Sequence, residues 1–168
     1  MLLKKLVILS YILLSPVYLF SQTESSSFKG RTSFLFDIGS SKIVGLGVNH
    51  YLNNRLSLNL GLGYTANFNA GTNFYLVERS HSPSSVYTGF QFVGYNDSYE
   101  FGGEGEKWLG IYLPLGYEYV GQKGFTFQLD LGPCFFGKRY FTNDTPSTYF
   151  FWSIKIGKTI TRKTFDKQ

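Results

Sequence analysis

The chain has 168 residues, enough for one domain, and a formal charge of +5. Charged residues make up 16% against about 25% in ordinary soluble domains, and Gly, Tyr and Phe number 19, 13 and 17. That composition favours strands and turns over helices. The basic excess is too small and scattered for a nucleic-acid partner. A single cysteine, Cys134, excludes an internal disulfide. It also excludes a zinc site of four cysteines, or of two cysteines with two histidines, and no cofactor is indicated.

Residues 1–21 read as a secretory signal peptide. Lys4 and Lys5 form its basic start, Leu6 to Leu14 its apolar core, Pro16 its break and Ser21 a small residue at the cleavage point. A membrane anchor needs about 20 uninterrupted apolar residues, and Ser10, Ser15 and Pro16 interrupt this run. Leu19 departs from the small residue usual at the −3 position. Removing the peptide leaves 14 basic and 11 acidic residues, +3. No cysteine follows the apolar core for lipid attachment, and no second long apolar run exists, so membrane residence requires strands.

Residues 22–30 read as a mobile tail, and 31–160 as a series of alternating segments split by turn chemistry. "RTSFLFDIG" (31–39) places Phe34, Phe36 and Ile38 on one face, and 43–52 does the same with Val44, Leu46 and Val48. Asn53-Asn54 predicts a tight turn. "RLSLNLGLGYTANF" (55–68) alternates without a break and is closed by "NAGT". A poorly alternating segment, 73–80, precedes 85–95. After a polar loop come 107–120, the turn "GQKG", 125–136, a second polar loop and 149–160. Pro114 and Pro133 fall inside strands and predict bulges. Residues 161–168 follow as a tail.

The fold class expected is all-β: an antiparallel up-and-down transmembrane β-barrel of about eight strands. Alternation alone does not say which face is wet. Were the bulky face inside, the solvated face would carry Gly45, Gly47, Gly61, Gly63, Gly110, Gly116 and Gly132, which weaken a strand and gain nothing there. Inside a narrow barrel small residues relieve crowding, and the bulky face meets lipid. Tyr117, Tyr119, Phe125 and Phe127 flank "GQKG", while Tyr64, Phe68, Phe150 and Trp152 sit near the opposite loops, as aromatic girdles require. This parity assigns Asp37, Arg55, Glu118, Asp130 and Lys155 to a lumen network, and Cys134 to lumen packing. Charges there must be paired and hydrogen-bonded, so the network reads as a plug and a register device rather than an active site.

The signal peptide, the glycine-alternating strands and "IYLPLGYEYVGQKGFTFQLDLG" resemble the small outer-membrane β-barrel proteins of Bacteroidota, often labelled porin-like. The "PLGY" strand is Leu113–Tyr117 and the "LDLG" strand Leu129–Gly132, and the "LFSQ" cleavage region is also similar. The resemblance implies an outer-membrane address in a Gram-negative envelope, a surround of lipid and lipopolysaccharide, and insertion by the barrel assembly machinery. The chain departs from the pattern at its end, where Gly157 of "KIGKTI" is present but Ile160 stands for the usual aromatic residue and "TRKTFDKQ" follows.

Other chemistry is weaker. His81, Ser82, Ser84 and Glu78 resemble the His/Ser/Glu set of lipid A deacylases but lie in a turn of ordinary loop composition. Asp97, Glu100, Glu104 and Glu106 lack EF-hand spacing. Lys138 and Arg139 could meet lipopolysaccharide phosphates. "GLG" and "GGEG" are not phosphate loops, because no helix follows. The expected role is non-enzymatic, with loops 96–106 and 137–146 as working surfaces. The alternatives are a secreted soluble barrel carrying an apolar ligand and a lipid A-modifying enzyme.

Overall fold

A computed structural model describes residues 27–39, 43–64, 67–79, 82–96, 107–137 and 147–160. The signal peptide, residues 22–26 of the tail, His81, most of both long loops and 161–168 lie outside these residues.

Nine strand segments follow one another: β1 (Thr32–Gly39), β2 (Ile43–Tyr51), β3 (Leu56–Gly63), β4 (Phe68–Tyr75), β5 (Ser84–Asn96), β6 (Lys107–Tyr112), β7 (Leu115–Val120), β8 (Phe125–Phe136) and β9 (Ser147–Ile160). β6 and β7 are two halves of one strand, so the barrel has eight strand positions. Each strand pairs antiparallel with its neighbours in sequence, and β1 closes the sheet on β9 from Thr32↔Ile160 to Gly39↔Ser153. This up-and-down order brings residues 28–31, 52–55, 76–79, 82–83 and 121–124 to one end, with the C-terminal end of β9. The strand ends Gly39, Ile43, Gly63, Phe68, Asn96, Lys107, Phe136 and Ser147 lie at the other.

The strands form because alternation suits a two-faced sheet. The turns follow their residues. Asn53 Oδ1 accepts from Arg55 N at 2.7 Å, closing the Asn53-Asn54 turn. Gly124 has φ +81°, a backbone that side-chain-bearing residues avoid, and its N–H reaches Gly121 O at 2.8 Å.

Two expectations are corrected. The fourth strand runs from Phe68 to Tyr75, across "NAGT", and not over 73–80. Asn and Gly read as turn signals, yet Asn69, Gly71 and Asn73 lie on the crowded polar inner face. The prolines produce no bulge. Tyr112↔Cys134 and Leu115↔Leu131 keep one register across Pro114, and Pro133 stays inside β8 opposite Phe150. Pro114 removes a donor without inserting a residue. Its carbonyl still accepts from Gly89 N at 3.1 Å, and Leu113 N reaches Pro133 O at 3.0 Å.

Burial alternates along the strands with the polar side inward. Ser33, Asp37, Asn49, Asn59, Gln91 and Gln128 are buried. Leu46, Leu60, Leu62, Leu109 and Ile156 are exposed, Leu46 to 68%. Tyr64, Phe68, Phe150, Trp152 and Phe125 are exposed nearer the strand ends.

Candidate functional site: the filled lumen

The inner face is stacked in layers. Phe28, Tyr51, Tyr75, Tyr87 and Val120 form an apolar cluster toward the chain termini. Val93, Tyr112, Cys134, Phe136 and Phe151 form a second toward the long loops. Between and among them lie two buried carboxylates with closely similar surroundings.

Glu118, on β7, is fully buried. Its Oε1 accepts from the Tyr51 hydroxyl and the Arg79 guanidinium, and its Oε2 from the Tyr75 hydroxyl at 2.7 Å and from Gln128 Nε2. Asp130, on β8, is the second centre. Its Oδ1 accepts from the Tyr112 hydroxyl at 2.7 Å, and its Oδ2 from Tyr87 at 2.8 Å and Lys155 Nζ at 2.7 Å. Each carboxylate thus takes two tyrosine hydroxyls and one cation. Charge-assisted bonds of this kind offset the desolvation of both ions.

The tyrosines reach inward because facing positions are small. A Cβ on Gly116 would collide with the Tyr87 ring, so glycine there makes room for a ring that spans to Asp130. Serine and threonine hydroxyls complete the layer: Ser33 Oγ lies 3.0 Å from Tyr51 Oη and 2.6 Å from Thr159 Oγ1. On β3, β4 and β5, Asn59, Asn69, Asn73 and Gln91 bond one another through their amides at 2.7–3.4 Å.

Arg79 enters from the turn after β4 and is 1% exposed. Its guanidinium lies 4.2 Å from the Phe28 ring centroid, 4.7 Å from that of Tyr75 and 5.1 Å from that of Tyr51. Burial alone would pull this group toward neutrality, but Glu118 outweighs it and holds the arginine above its ordinary range. Phe28 is seated over the same spot. Its N–H donates to Asn54 Oδ1 at 2.8 Å, and Gly30 N donates to Tyr51 O at 2.8 Å.

Four of the five residues expected in the lumen are there: Asp37, Glu118, Asp130 and Lys155 are all buried. Arg55 is not. It lies in the turn before β3, with a 67% exposed side chain 3.8 Å from Glu78. The strand begins one residue later, at Leu56, so the alternation does not reach Arg55, and the arginine in the lumen is Arg79. Sequence reasoning also passed over Tyr51, Tyr75, Tyr87 and Tyr112. Strand parity puts Tyr51 in phase with Asn49 and Tyr112 opposite in phase to Ile111.

Glu78, Ser82 and Ser84 do not converge. Glu78 bonds Asn54 at 3.2 Å, Ser84 Oγ pairs with Tyr117 Oη at 2.8 Å, and Ser82 Oγ accepts from Ser84 N at 3.1 Å.

No family model and no curated protein matches the chain. Among solved structures, the N-terminal β-barrel domain of Pseudomonas aeruginosa OprF is similar at a TM-score of 0.48 and 10% identity, over 83% of this chain and 100% of that one. At that distance the likeness is one of outline, and function must come from this chain's own residues.

Proposed function

We propose that this chain is a small, non-enzymatic outer-membrane β-barrel, exported by a signal peptide cleaved after Ser21, that displays loops 96–106 and 137–146 to surface partners. One observation carries this reading: the burial pattern is inverted. Asparagine, glutamine and paired charges fill the inside, while leucine, isoleucine and phenylalanine cover the outside. Water would penalise that surface, and a hydrocarbon surround rewards it. An apolar-ligand carrier needs the opposite arrangement. The aromatic residues near both strand ends fit two interfaces. The signal peptide, the glycine-alternating strands and "IYLPLGYEYVGQKGFTFQLDLG" resemble the porin-like barrels of Bacteroidota, which implies lipopolysaccharide as a loop contact and the barrel assembly machinery as the insertion partner.

A lumen closed by two apolar clusters should pass no solutes, so the role is structural or adhesive. The test is the gel mobility of the outer-membrane fraction, boiled against unboiled. A folded membrane barrel resists SDS until heated and shifts on boiling. Recovery in the soluble periplasm with no shift would overturn the proposal.

A further inference from the structure

The seat of Phe28 leaves hydrogen-bond donors unmet. Arg79 gives its Nη1 to Glu118, but its Nε and Nη2 are buried with no hydrogen-bond partner. These two nitrogens share one edge of the guanidinium, the fork that grips a carboxylate or phosphate through two parallel bonds. Arg31 Nε is buried and unpartnered as well. Both guanidiniums lie over one ring, Arg31 at 4.6 Å and Arg79 at 4.2 Å from the Phe28 centroid. Burial and the neighbouring Arg79 charge hold Arg31 below its ordinary range, as two cations kept close must do. Buried donors without acceptors are rare and costly, and here three gather around one phenyl ring.

That ring is held by few bonds. It belongs to residues 28–31, ahead of the first strand. They are tied down by Phe28 N to Asn54 Oδ1, Gly30 N to Tyr51 O and Tyr51 N to Arg31 O. Gly30 has φ +77°, and a Cβ there would meet nothing within 4 Å, so the chain turns without crowding. Seating Phe28 buries the ring and leaves the Arg79 fork empty. Lifting it wets the ring and gives the fork room for an acceptor. Each state satisfies what the other leaves unmet.

We propose that Arg79 and Arg31 form a site for one oxyanion of the phosphate class, with Phe28 as its lid and Gly30 as the hinge. The fork alone would use both oxygens of a carboxylate, whereas a phosphate has oxygens left for Arg31. An oxyanion on the fork and the seated ring exclude each other. The site lies at the end of the barrel that carries residues 28–31 and the end of β9, and it does not depend on what surrounds the barrel.

The test uses the refolded full chain in an uncharged detergent, with sodium phosphate exchanged for sodium chloride at constant ionic strength. A para-fluorophenylalanine in place of Phe28 reports the lid by fluorine NMR, because a ring stacked on guanidinium and a ring in water resonate apart. Phosphate should move the signal toward the solvated position and saturate. General stabilisation by phosphate would favour the seated ring and move it the other way. Arg31→Gln should require about tenfold more phosphate, the loss of one charge-assisted bond. Arg79→Lys keeps a charge for Glu118 but no fork, and should abolish the response. Should Arg79→Lys fail to fold, Arg31→Gln alone decides. A short-chain phosphatidylglycerol in place of phosphate separates the sources: a response to the diester assigns a lipid headgroup, and a response to phosphate alone a free ion. A signal indifferent to both probes, or the same saturation in Arg31→Gln as in the wild type, would overturn the proposal.

Discussion

Glu118 and Asp130 are each satisfied by a cation and a pair of tyrosines, and their partners come from across the barrel. Glu118 draws on β2, β4, β8 and the turn after β4. Removing such a group leaves a buried guanidinium and unmatched hydroxyls. Glu118→Ala should therefore cost ~3–5 kcal/mol, read as a lower urea midpoint of the refolded barrel. Phe28→Ala should cost about 3 kcal/mol by emptying the seat over Arg79, measured the same way. The carboxylates were legible in the sequence, because a charged residue in phase with small ones must face inward. Arg79 was not, because it sits in a turn where strand parity says nothing, and its long side chain reaches a layer that its backbone does not occupy. The tyrosines were hidden by their own ambivalence: the ring reads as apolar, and only the strand phase shows that the hydroxyl is needed inside.

Strands differ in how clearly they announce themselves. β3 and β8 alternate bulky and small residues and were legible at once. β4 is polar inside and carries Ala70, Gly71 and Thr72 in its middle, so its pattern imitates a loop, and its place is fixed by pairing with β3 and β5. Local propensity yields to cross-strand neighbours here. At this scale the outward face can be tested by a charge. Leu60, in the middle of β3 and 56% exposed, should tolerate arginine within ~0.5 kcal/mol if it faces water, but lose ~2–4 kcal/mol if it faces the centre of a bilayer. The proposed location requires the second value, measured in lipid vesicles. On the inner face, Gly116→Val should push the Tyr87 ring off Asp130 and cost ~1–3 kcal/mol, with the folded gel band lost at lower temperature.

The whole molecule is a ring whose ends meet late: β1 and β9 are more than a hundred residues apart in sequence, yet pair over their shared length. Long-range closure of this kind is slow to form. The register is uniform at every strand pair, and the two-residue period means that a slip of one would turn a strand's inward charges onto the apolar outer face. The buried network therefore opposes wrong registers as well as filling space. Planar-bilayer recordings of the purified barrel should show no steady conductance, because both clusters would have to open for ions to pass.

The seat of Phe28 also marks time. It is assembled from Tyr51, Arg79 and Val120, which belong to the early, middle and late parts of the chain. The backbone of 28–31 is bonded to Tyr51 and Asn54, while the Phe28 ring is covered by Arg79 from the turn after β4. Lys29 and Arg31, on either side of Gly30, are tryptic sites within that held stretch. Resistance of these two bonds to a pulse of trypsin should thus grow in two steps, a first when 28–31 joins Tyr51 and Asn54 and a second when Arg79 closes over Phe28, so that the N-terminus records the order of assembly.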